Sequence, residues 1–380
     1  MELREYRFDE ISVNYDKKRV PLSGAQREKR KGNYRYYGAQ GIIDYIDDFI
    51  FDGTYLLIAE DGENLKSKKQ NIAQVVNGQF WVNNHAHIVT GNGLCDTHYL
   101  CYLINSMDLS GYITGSAQPK LSQANLNAVT LLLPQIDVQK KIVGYLGKID
   151  EKIEINKQIN ENLEQQAQAY FEELFVVNAD PNWPECTLSD IGSIVAGGTP
   201  SKSKSEYYAD QGIAWITPKD LSIDKSKFIS HGENDISELG FSKSSTKKMP
   251  AGTVLFSSRA PIGYIAIAQN ELTTNQGFKS VIPNENIGTS YVYFLLKNLL
   301  PTIEGMASGS TFKEISGAGM KSVPTVMPDV NIIQLFNNFC EPIFKEQEVL
   351  EAENRRLSAL RDSLLPKLMA GEIDISSLNI

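Results

Sequence analysis

Residues 136–175 read IDVQKKIVGYLGKIDEKIEINKQINENLEQQAQAYFEELF, and residues 330–369 read VNIIQLFNNFCEPIFKEQEVLEAENRRLSALRDSLLPKLM. In both stretches, mainly apolar residues recur at alternating spacings of four and three, which is typical of helices that pack along one narrow seam. The seam positions are Ile142, Leu146, Ile149, Ile153, Asn156, Asn160, Leu163, Ala167, Tyr170 and Leu174, and Phe336, Cys340, Ile343, Gln347, Leu350, Asn354, Leu357, Arg361, Leu364 and Leu368. A shift of 194 residues superimposes one stretch on the other. We therefore predict two long helices that pair with each other.

The segments ahead of these helices repeat as well. The approach to the first helix, residues 115–134, matches the approach to the second at the same shift of 194. Residues 53–57 match residues 252–256 at a shift of 199, and residues 99–103 match a later segment at a shift of 192. Small changes of shift indicate loop insertions between two related domains. The chain therefore has the order globular domain, helix, globular domain, helix.

We predict an α+β fold: two globular domains separated by two long antiparallel helices that form an intramolecular coiled coil, with a pseudo-twofold duplication. The predicted boundaries are 1–135 for the first domain, 136–178 for the central helix, 183–328 for the second domain and 329–370 for the C-terminal helix. Local patterns predict strands at 55–59, 78–82, 213–216, 253–256 and 262–268, short helices at 97–106 and 289–298, and turns at Asp61-Gly62, Asn77-Gly78 and 181–184.

The composition is that of a globular protein, with 42% hydrophobic and 22% charged residues. The first residues lack an apolar signal core, and the apolar run 129–133 is too short to cross a bilayer. We therefore expect a cytoplasmic protein without membrane contact. Four cysteines in a chain of 380 residues indicate no disulfide framework.

The net charge of −9 is unevenly distributed. Residues 136–182 and 328–380 each carry −4, whereas residues 1–135 carry −1 and residues 183–327 are neutral. Residues 17–35 hold eight Lys or Arg against one Glu. Because phosphate binding depends on local patches and not on the total charge, the globular domains are suited to nucleic acid and the acidic helices to protein partners. The alternative for each basic run is a solvated face.

Two segments combine basic residues with aromatic residues or glycines. Residues 29–38 read KRKGNYRYYG, and residues 197–204 read GGTPSKSK, followed by Tyr207 and Tyr208. Basic side chains reach phosphates and guanine edges, and paired glycines let a backbone approach closely. Tyrosines are more often packing residues than base contacts, so both interpretations of these segments stay open.

No catalytic motif is recognisable in the sequence. The chain has no G-x-x-x-x-G-K-[ST], H-E-x-x-H or G-x-S-x-G motif. Cys95, His98 and Cys101 lack a nearby fourth metal ligand, and a buried helix face is the better interpretation. Residues 180–183 (DPNW) are similar to the DPPY or DPPW loop of adenine methyltransferases but lack the second proline, so a turn explains them better. We predict no catalytic residues and no metal site.

Several motifs carry a family resemblance. They are GNYRYYGA at 32–39, GIID at 41–44, FDG at 51–53, GGTPS at 197–201, GIAWITPKDL at 212–221, FSSRAPIG at 256–263 and LLPKLMAGEI at 364–373. The first three look like one class of target-recognition domain, the next three look like another, and the last is similar to a usual C-terminal ending. In this order, within a duplicated chain, they resemble the specificity subunits of type I restriction–modification systems over essentially the whole length.

The resemblance implies that each globular domain is a target-recognition domain that reads one half of a split double-stranded DNA sequence. The helices would hold the halves apart and dock two methyltransferase subunits, which methylate adenine at N6, and restriction subunits with ATP-driven motors would join them. The chain itself would be non-catalytic and would carry no cofactor. S-adenosylmethionine, ATP and Mg²⁺ would belong to the partner subunits.

From residue type and loop position we choose candidate DNA contacts in both halves. They are Lys29, Arg30, Arg35, Tyr36, Lys120, Lys202, Lys204, Tyr207, Lys219, Arg259 and Lys313. Forty helical residues span about 60 Å, so the helix length would set the gap between the half-sites. Asn160 and Asn354 fall at the same seam position, and we hypothesise that they pair and fix the register.

The two halves differ in their motifs. The first lacks the GGTPS and WITPKDL elements of the second, and the second lacks the YRYYG segment. We therefore predict an asymmetric DNA target. Sequencing of methylated genomic DNA checks this prediction, and a palindromic target would contradict it.

Three alternatives are compatible with parts of the sequence. In a related class of systems, a similar subunit serves a single partner chain that both methylates and cleaves, and the neighbouring genes discriminate this case. A coiled-coil adaptor without a DNA role explains the helices but not the motif-bearing domains. A stand-alone methyltransferase needs cofactor loops that the sequence lacks, and methyl transfer by the purified chain alone would establish it.

Overall fold

The computed structural model describes residues 2–67, 70–115, 118–309, 313–373 and 375. The chain forms two compact units: unit 1 comprises Met1–Ile153 and Arg356–Ile380, and unit 2 comprises Glu154–Arg355. Each unit therefore contains one globular domain and one part of each long helix. Ser116 and Ser310 of the repeated approach segments lie outside the described residues.

Unit 1 is built on a six-stranded sheet of order β2-β7-β5-β6-β3-β4, beside an antiparallel pair of β1 and β8. The strands are β1 (Arg4–Arg7), β2 (Ser12–Asn14), β3 (Lys31–Gly38), β4 (Gly41–Ile46), β5 (Phe51–Ala59), β6 (Ala73–Val82), β7 (Ala86–Gly91) and β8 (Thr130–Leu133). The helices are α1 (Phe8–Ile11), α2 (Gly24–Glu28), α3 (Asn64–Ser67), α4 (Thr97–Ser106), α5 (Gln123–Asn127) and the first part of the long helix α6 (Ile136–Glu172). One π-helical turn, Glu173–Val177, follows α6.

Unit 2 contains a five-stranded sheet of order β10-β18-β15-β16-β13, a four-stranded sheet of order β11-β14-β12-β17 and the pair β19-β9. The strands are β9 (Glu185–Thr187), β10 (Gly192–Ala196), β11 (Tyr208–Ala209), β12 (Ile213–Ile216), β13 (Phe228–Ile229), β14 (Asn234–Ile236), β15 (Val254–Ser258), β16 (Ile262–Ala268), β17 (Thr273–Thr274), β18 (Lys279–Pro283) and β19 (Pro324–Val326). The helices are α7 (Leu188–Ile191), α8 (Pro218–Ile223), α9 (Glu238–Ser242), α10 (Thr289–Met306), α11 (Gly317–Lys321) and the long helix α12 (Val330–Met369), whose last part belongs to unit 1. None of the described helices is long and apolar enough to cross a membrane.

In unit 1 the beginning of α6 packs against the end of α12. Ile142 and Leu146 of α6 and Leu368 of α12 share one apolar core with Leu56 and Ile58 of β5. Because low-numbered residues of α6 meet high-numbered residues of α12, the two helices run antiparallel here. The domain and the helices of unit 1 are thus held by the same core.

In unit 2 the helix pair has an aromatic part and a polar part. Phe171 of α6 and Phe336 of α12 pack with their ring centroids 5.6 Å apart. Nearer the middle of both helices, the Asn156 Nδ2 donates to Asn354 Oδ1 at 2.9 Å. Asn354 therefore pairs with Asn156, and the hypothesis that it pairs with Asn160 is wrong, because that residue lies one turn farther along the seam.

The structure confirms the predicted fold class of mixed helix and sheet with a duplicated domain and helix. The predicted turn at Asn77-Gly78 is wrong, because β6 runs through both residues with Gly78 at a positive φ of 84°. The shift that relates β5 to β15 also differs by one residue from the shift predicted from the sequence. Leu56 and Val254 both face the helix-side core, which gives a shift of 198 where the sequence match suggested 199. The division of the chain into domains at 135, 183 and 328 stays a prediction.

Candidate nucleic-acid interface

One turn in unit 1, residues 83–85, connects β6 to β7 through a side-chain hydrogen bond. Asn83 Oδ1 accepts the N–H of His85 at 2.8 Å. The N–H of Asn83 donates to the carbonyl of Tyr37 at 3.0 Å, and the N–H of Glu60 donates to the carbonyl of His85 at 2.9 Å. The ends of β3 and β5 therefore fix this turn, and Asn84 at its centre is exposed.

Residues 275–277 form the same turn in unit 2. Asn275 Oδ1 accepts the N–H of Gly277 at 2.8 Å, and the N–H of Asn275 donates to the carbonyl of Ile216 at 2.9 Å. The N–H of Ser258 donates to the carbonyl of Gly277 at 2.7 Å. The central residue, Gln276, is exposed. We call residues 83–85 and 275–277 the amide turns.

The three motif segments of unit 2 meet at its amide turn. A Cβ on Gly197 would lie 2.0 Å from the carbonyl oxygen of Asn275, and a Cβ on Gly277 would lie 3.0 Å from Pro218 Cγ. The Ser258 hydroxyl donates to the carbonyl of Gly277 at 3.1 Å. The GGTPS, WITPKDL and FSSRAPIG segments, which are separate in the sequence, thus build one site.

The paired glycines approach the protein's own backbone. A Cβ on Gly198 would lie 2.5 Å from the backbone nitrogen of Thr246, and the indole Nε1 of Trp215 donates to the carbonyl of Gly198 at 3.0 Å. Any side chain here would collide with fixed backbone atoms. Packing of the loop against β12 therefore explains the glycines, without any approach of the loop to a phosphate.

The TPKD part of the motif is a helix cap that presents Lys219. Asp220 Oδ2 accepts the N–H of Thr217 at 2.7 Å and the Thr217 hydroxyl at 2.6 Å. The Asp220 carboxylate thus satisfies the backbone N–H of Thr217, the residue that precedes α8. Lys219 is left exposed at the beginning of α8, where it forms an ion pair with Glu233.

Lys120, Arg259 and Lys313 lie beside the amide turns. Lys120 forms an ion pair with Glu60 at 3.2 Å. In unit 2 Glu314 takes the place of Lys120 and Arg259 takes the place of Asp61, so the charges at these two positions are reversed, and the two side chains bond at 3.4 Å. Lys313 precedes Glu314 and is exposed. Both units thus hold a cation near the turn, each on a different segment.

Lys29 and Arg30 directly precede β3. Arg30 places its guanidinium over the Trp81 ring at 5.0 Å and bonds Asp47 at 2.8 Å. Trp81 lies in β6, two residues before Asn83 of the amide turn. Lys29 is exposed beside Arg30, and both stay predicted DNA contacts.

Arg35 and Lys204 each lie over an aromatic ring, and Lys202 is exposed. Arg35 donates to the carbonyl of Asn77 and lies over the Tyr37 ring at 5.8 Å. Lys204 lies over the Tyr207 ring at 5.1 Å. Lys202 is exposed in the same loop. These cations remain predicted DNA contacts.

The two candidate tyrosines are packing residues. Tyr36 is 0% exposed, and its hydroxyl accepts the N–H of Leu22 at 2.9 Å. Tyr207 is 8% exposed. A ring enclosed by protein cannot stack on a base, so the structure corrects both assignments. The sequence indicated this alternative for tyrosines in these segments.

Asn84 and Gln276 were missed as candidates. Amide side chains can donate and accept at once, which suits them to base edges. A sequence signal existed, because Asn-Asn-His and Asn-Gln-Gly stand 192 residues apart, the shift that also relates α4 to the start of α10. Each tripeptide alone indicates a turn, and the hydrogen bonds of the structure are needed to identify it as a shared site.

The family model for the type I restriction modification DNA specificity domain matches residues 4–165 and 181–347. The chain belongs to the type I restriction–modification specificity family. The HindI specificity subunit of Haemophilus influenzae is 25% identical, over 85% of this chain and 84% of that protein. The MjaIX specificity subunit of Methanocaldococcus jannaschii is 37% identical over 48% of this chain, which spans only 44% of that relative.

A solved structure shares the fold. The type I specificity (S) subunit from M. genitalium matches with a TM-score of 0.63 at 16% identity, over 97% of this chain and 96% of that one. At this identity the likeness concerns the fold. The family membership identifies the chain as a type I specificity subunit, a non-catalytic protein whose family recognises DNA targets.

Unit 1 of this specificity subunit contains a buried charge network behind its amide turn. His87 Nδ1 lies 2.6 Å from Asp16 Oδ2, and His87 Nε2 lies 2.8 Å from the carbonyl oxygen of Leu121. Arg19 bonds Glu60 at 2.9 Å and Asp16 at 3.4 Å. The network joins Glu60, which follows β5 and bonds the amide turn, to the loop that carries Lys120.

The carboxylates of this network have lowered pKa values. Burial raises the pKa of Asp16, but hydrogen bonds from His87 and from the N–H of Ile88 outweigh it. Burial also raises the pKa of Glu60, and its bonds to Arg19 and Lys120 reverse the effect. Asp16, Glu60 and His87 are the group of potential metal ligands among the described residues. Arg19 bonds both carboxylates and Lys120 bonds Glu60, so an ion-pair network accounts for them.

The other candidate ligands and the DPNW segment have structural roles. Burial raises the pKa of Cys95 and Cys101 to about 12, and neither thiol belongs to a cluster of potential ligands in the described part of the chain. Asp180 Oδ1 accepts the N–H of Asn182 at 2.8 Å. Residues 180–183 thus form a turn, as their sequence indicates.

We predict that Asp16→Asn destabilises unit 1 by about 3 kcal/mol at pH 7, because it removes a buried carboxylate that bonds His87, the N–H of Ile88 and Arg19. The folded-state pKa of Asp16 is lowered, so its stabilisation is complete above its ordinary value of 3.8 and is lost as the pH falls through the lower folded value. Denaturant titrations at pH 7 and at low pH measure the difference.

The control for this prediction is Asp9→Asn, because Asp9 forms an exposed ion pair with Arg7. Exposed pairs contribute about 0–1 kcal/mol, so this variant should unfold like the parent at both pH values. An Asp16→Asn variant whose destabilisation stays the same below pH 4 would contradict the assigned charge network.

Proposed function

We propose that this specificity subunit reads a bipartite, asymmetric double-stranded DNA target, one half with each unit, and docks methyltransferase and restriction subunits. The observation that carries the proposal is the pair of amide turns. Their backbone hydrogen bonds are the same, but the exposed residue is Asn84 in unit 1 and Gln276 in unit 2. A conserved frame with a different reading residue in each copy supports two different half-sites.

The amide turns have the chemistry of base recognition. Asn and Gln form paired hydrogen bonds with the N6 and N7 edge of adenine in the major groove. Exposed cations at Lys219 in unit 2 and Lys120 in unit 1, and the half-buried Arg259 of unit 2, supply charge for phosphates. Because strand ends hold each turn rigidly, little ordering entropy would oppose binding.

The long helices expose apolar residues at matching repeat positions. At the shift of 194, Tyr145 (37% exposed) corresponds to Phe339 (40%). In the same way, Ile155 (44%) corresponds to Val349 (55%). Large apolar groups on an otherwise acidic helix surface indicate protein contacts. Equivalent positions in two copies support two equivalent methyltransferase subunits.

We assign the chemistry to the partners. The methyltransferase subunits would bind S-adenosylmethionine and methylate adenine at N6, and the restriction subunits would use ATP and Mg²⁺ for ATP-dependent cleavage. The four cysteines are free, which suits the reducing cytoplasm in which we place the complex.

For the reading residues, we predict that Gln276→Ala relaxes base preference at one position of one half-site and costs about 1–3 kcal/mol for the preferred base. Asn84→Ala should do the same in the other half-site. Lys219→Ala should weaken binding to every sequence and lower its salt dependence. Binding of the reconstituted complex to randomised duplexes, at two salt concentrations, measures all three effects.

The matched control is Gln166→Ala, which removes an exposed amide from the surface of α6. It should leave both half-sites and the salt dependence unchanged. If Gln276→Ala and Asn84→Ala keep the parent's base preferences at every position, the amide turns do not read DNA.

For the docking positions, we predict that Tyr145→Glu and Phe339→Glu each remove one methyltransferase subunit and that the double variant removes both. Burying a carboxylate in an apolar interface is costly, so each substitution should weaken its site by about 2 kcal/mol or more. Light scattering of the purified complexes gives the number of subunits directly.

Asn338→Glu provides the control, because Asn338 adjoins Phe339 and is also exposed. It introduces the same charge without removing a large apolar group. Full loss of both methyltransferase subunits in either single variant would disprove two independent equivalent sites.

A further inference from the structure

A groove in unit 1 is larger than a typical small-molecule pocket. It has a volume of about 1420 Å³, more than the roughly 300–1,000 Å³ of typical ligand pockets. Four elements surround it: β6, α4, α6 and α12. Its lining includes Val75 and Asn77 of β6, Cys101 of α4, Glu151 of α6 and Asp362 of α12.

One wall of the groove is an open strand edge. On the side away from β5, strand β6 pairs with β3 at Phe80, Trp81 and Val82. Among the described residues, no strand covers the preceding part of this edge. At Ala73 the side chain of Asn105 replaces a strand, because its Oδ1 accepts the Ala73 N–H at 3.0 Å and its Nδ2 donates to the Ala73 carbonyl at 2.9 Å.

Unit 2 covers the same positions with its own chain. The strand pairing equates Val75 with Ile267 and Asn77 with Gln269, since Leu56 pairs with Val75 as Val254 pairs with Ile267. In unit 2 the N–H of Ile267 donates to the carbonyl of Lys227 at 2.7 Å, and that of Gln269 donates to the carbonyl of Ile229 at 3.0 Å. Strand β13 therefore fills the place that the groove occupies in unit 1.

The covering segment of unit 2 also bonds the long helices. Lys227 forms an ion pair with Glu164 of α6, and its Nζ donates to Gln347 Oε1 of α12 at 2.6 Å. The backbone N–H groups of Lys227 and Phe228 donate to the carboxylate of Glu351 at 2.8 and 3.2 Å. A short strand with one lysine thus joins the sheet edge to carboxylates on the helices.

The groove of unit 1 also has a strand edge beside carboxylates of the long helices, but no segment like residues 227–229 lies between them among the described residues. Its helix wall carries Asp150, Glu151 and Asp362 against the single guanidinium of Arg361, so the wall favours a cationic side chain. Asp150 is bonded to Arg361 at 2.8 Å, whereas Glu151 is exposed. At the strand wall, the N–H of Val75 faces the Cys101 thiol, a weak acceptor that a carbonyl can replace.

We infer that an extended, lysine- or arginine-bearing segment of the methyltransferase partner adds to β6 in this groove as a strand. Its backbone carbonyls accept the N–H groups of Val75 and Asn77, since the Asn77 carbonyl already accepts from Arg35. Its cation reaches Glu151, in the way that residues 227–229 serve unit 2. Strand addition is a general mode of peptide recognition. The inference rests on the proposed function, because the methyltransferase is the partner that the function places against the long helices.

Amide hydrogen exchange of the full chain, alone and with the methyltransferase subunits, tests this inference. In the free chain the amides of Ile267 and Gln269 should exchange slowly, and those of Val75 and Asn77 should exchange faster. On complex formation, exchange at Val75 and Asn77 should slow by about tenfold or more, because new ladder hydrogen bonds must open before exchange.

Gly147 allows the groove to be blocked. It lines the groove from α6, and a Cβ placed there meets no atom within 4 Å. Gly147→Trp should abolish the slowing at Val75 and Asn77 and weaken the complex by about tenfold, whereas Gly147→Ala should behave as the parent does. Glu151→Lys should weaken the complex in the same direction through charge.

The outcomes separate the inference from the proposed function. If the complex forms, with protection around Phe339, but the parent shows unchanged exchange at Val75 and Asn77, the inference is wrong and the proposed docking stands. Equal slowing in Gly147→Trp and in the parent also overturns it. If light scattering shows no complex with the methyltransferase, both the docking proposal and the inference fail.

Discussion

The apolar seam of the two long helices is the contact on which the rest of the structure depends. A helix with an acidic outer surface is stable only when its apolar stripe is covered. In unit 1 the stripe residues Ile142 and Leu146 lie in the same core as the sheet residue Leu56. In unit 2, Phe171 and Phe336 lie in the core that also contains Val254. Each domain is therefore fixed to its part of the helix pair by shared burial.

The seam also fixes the register of α6 against α12. Asn156 is fully buried and bonds both Asn354 and Glu353, at 2.9 and 2.7 Å. A slip of the helices by one turn would leave these polar groups buried without partners, at a cost of about 1–3 kcal/mol each. Apolar residues tolerate such a slip far better. The polar part of the seam therefore fixes the register that its aromatic part stabilises.

Duplication kept the backbone of the reading site and changed its charges. The amide turns share three backbone or Asn hydrogen bonds, whereas the ion pair beside them is Lys120 with Glu60 in unit 1 and Glu314 with Arg259 in unit 2. A partly exposed pair contributes about 0–1 kcal/mol, so replacing one pair with the other costs little stability. The replacement moves the cation to another segment and changes what the surface offers to DNA.

The sequence was most informative where periodicity is long, and least where a contact is long-range. Forty residues of 4-3 spacing predict α12, and the matched shift predicts α10 from α4, because these patterns extend over several turns. The glycines of GGTPS predict a close approach of the backbone to another group, and this is correct. The group that Gly198 approaches is the backbone of Thr246, which lies far along the chain and which no local pattern indicates. Tyr36 lies in a basic, aromatic segment, and only the position of Leu22 shows that its hydroxyl is enclosed. The amide turns depend on bonds between Asn83 and Tyr37 and between Asn275 and Ile216, which no local pattern contains.

The two copies also solve the problem of an open sheet edge in different ways. An uncovered edge invites unwanted pairing, and proteins usually cover or interrupt it. Unit 2 covers its edge at Ile267 and Gln269 with β13 and anchors that strand to the helices through Lys227. Unit 1 closes one end of the edge with the Asn105 side chain and the other with β3. The interval at Val75 and Asn77 is too short to template a long sheet, yet long enough for one short strand whose side chain must suit the carboxylates beneath it. The edge of unit 1 is therefore selective by its length and by its charge.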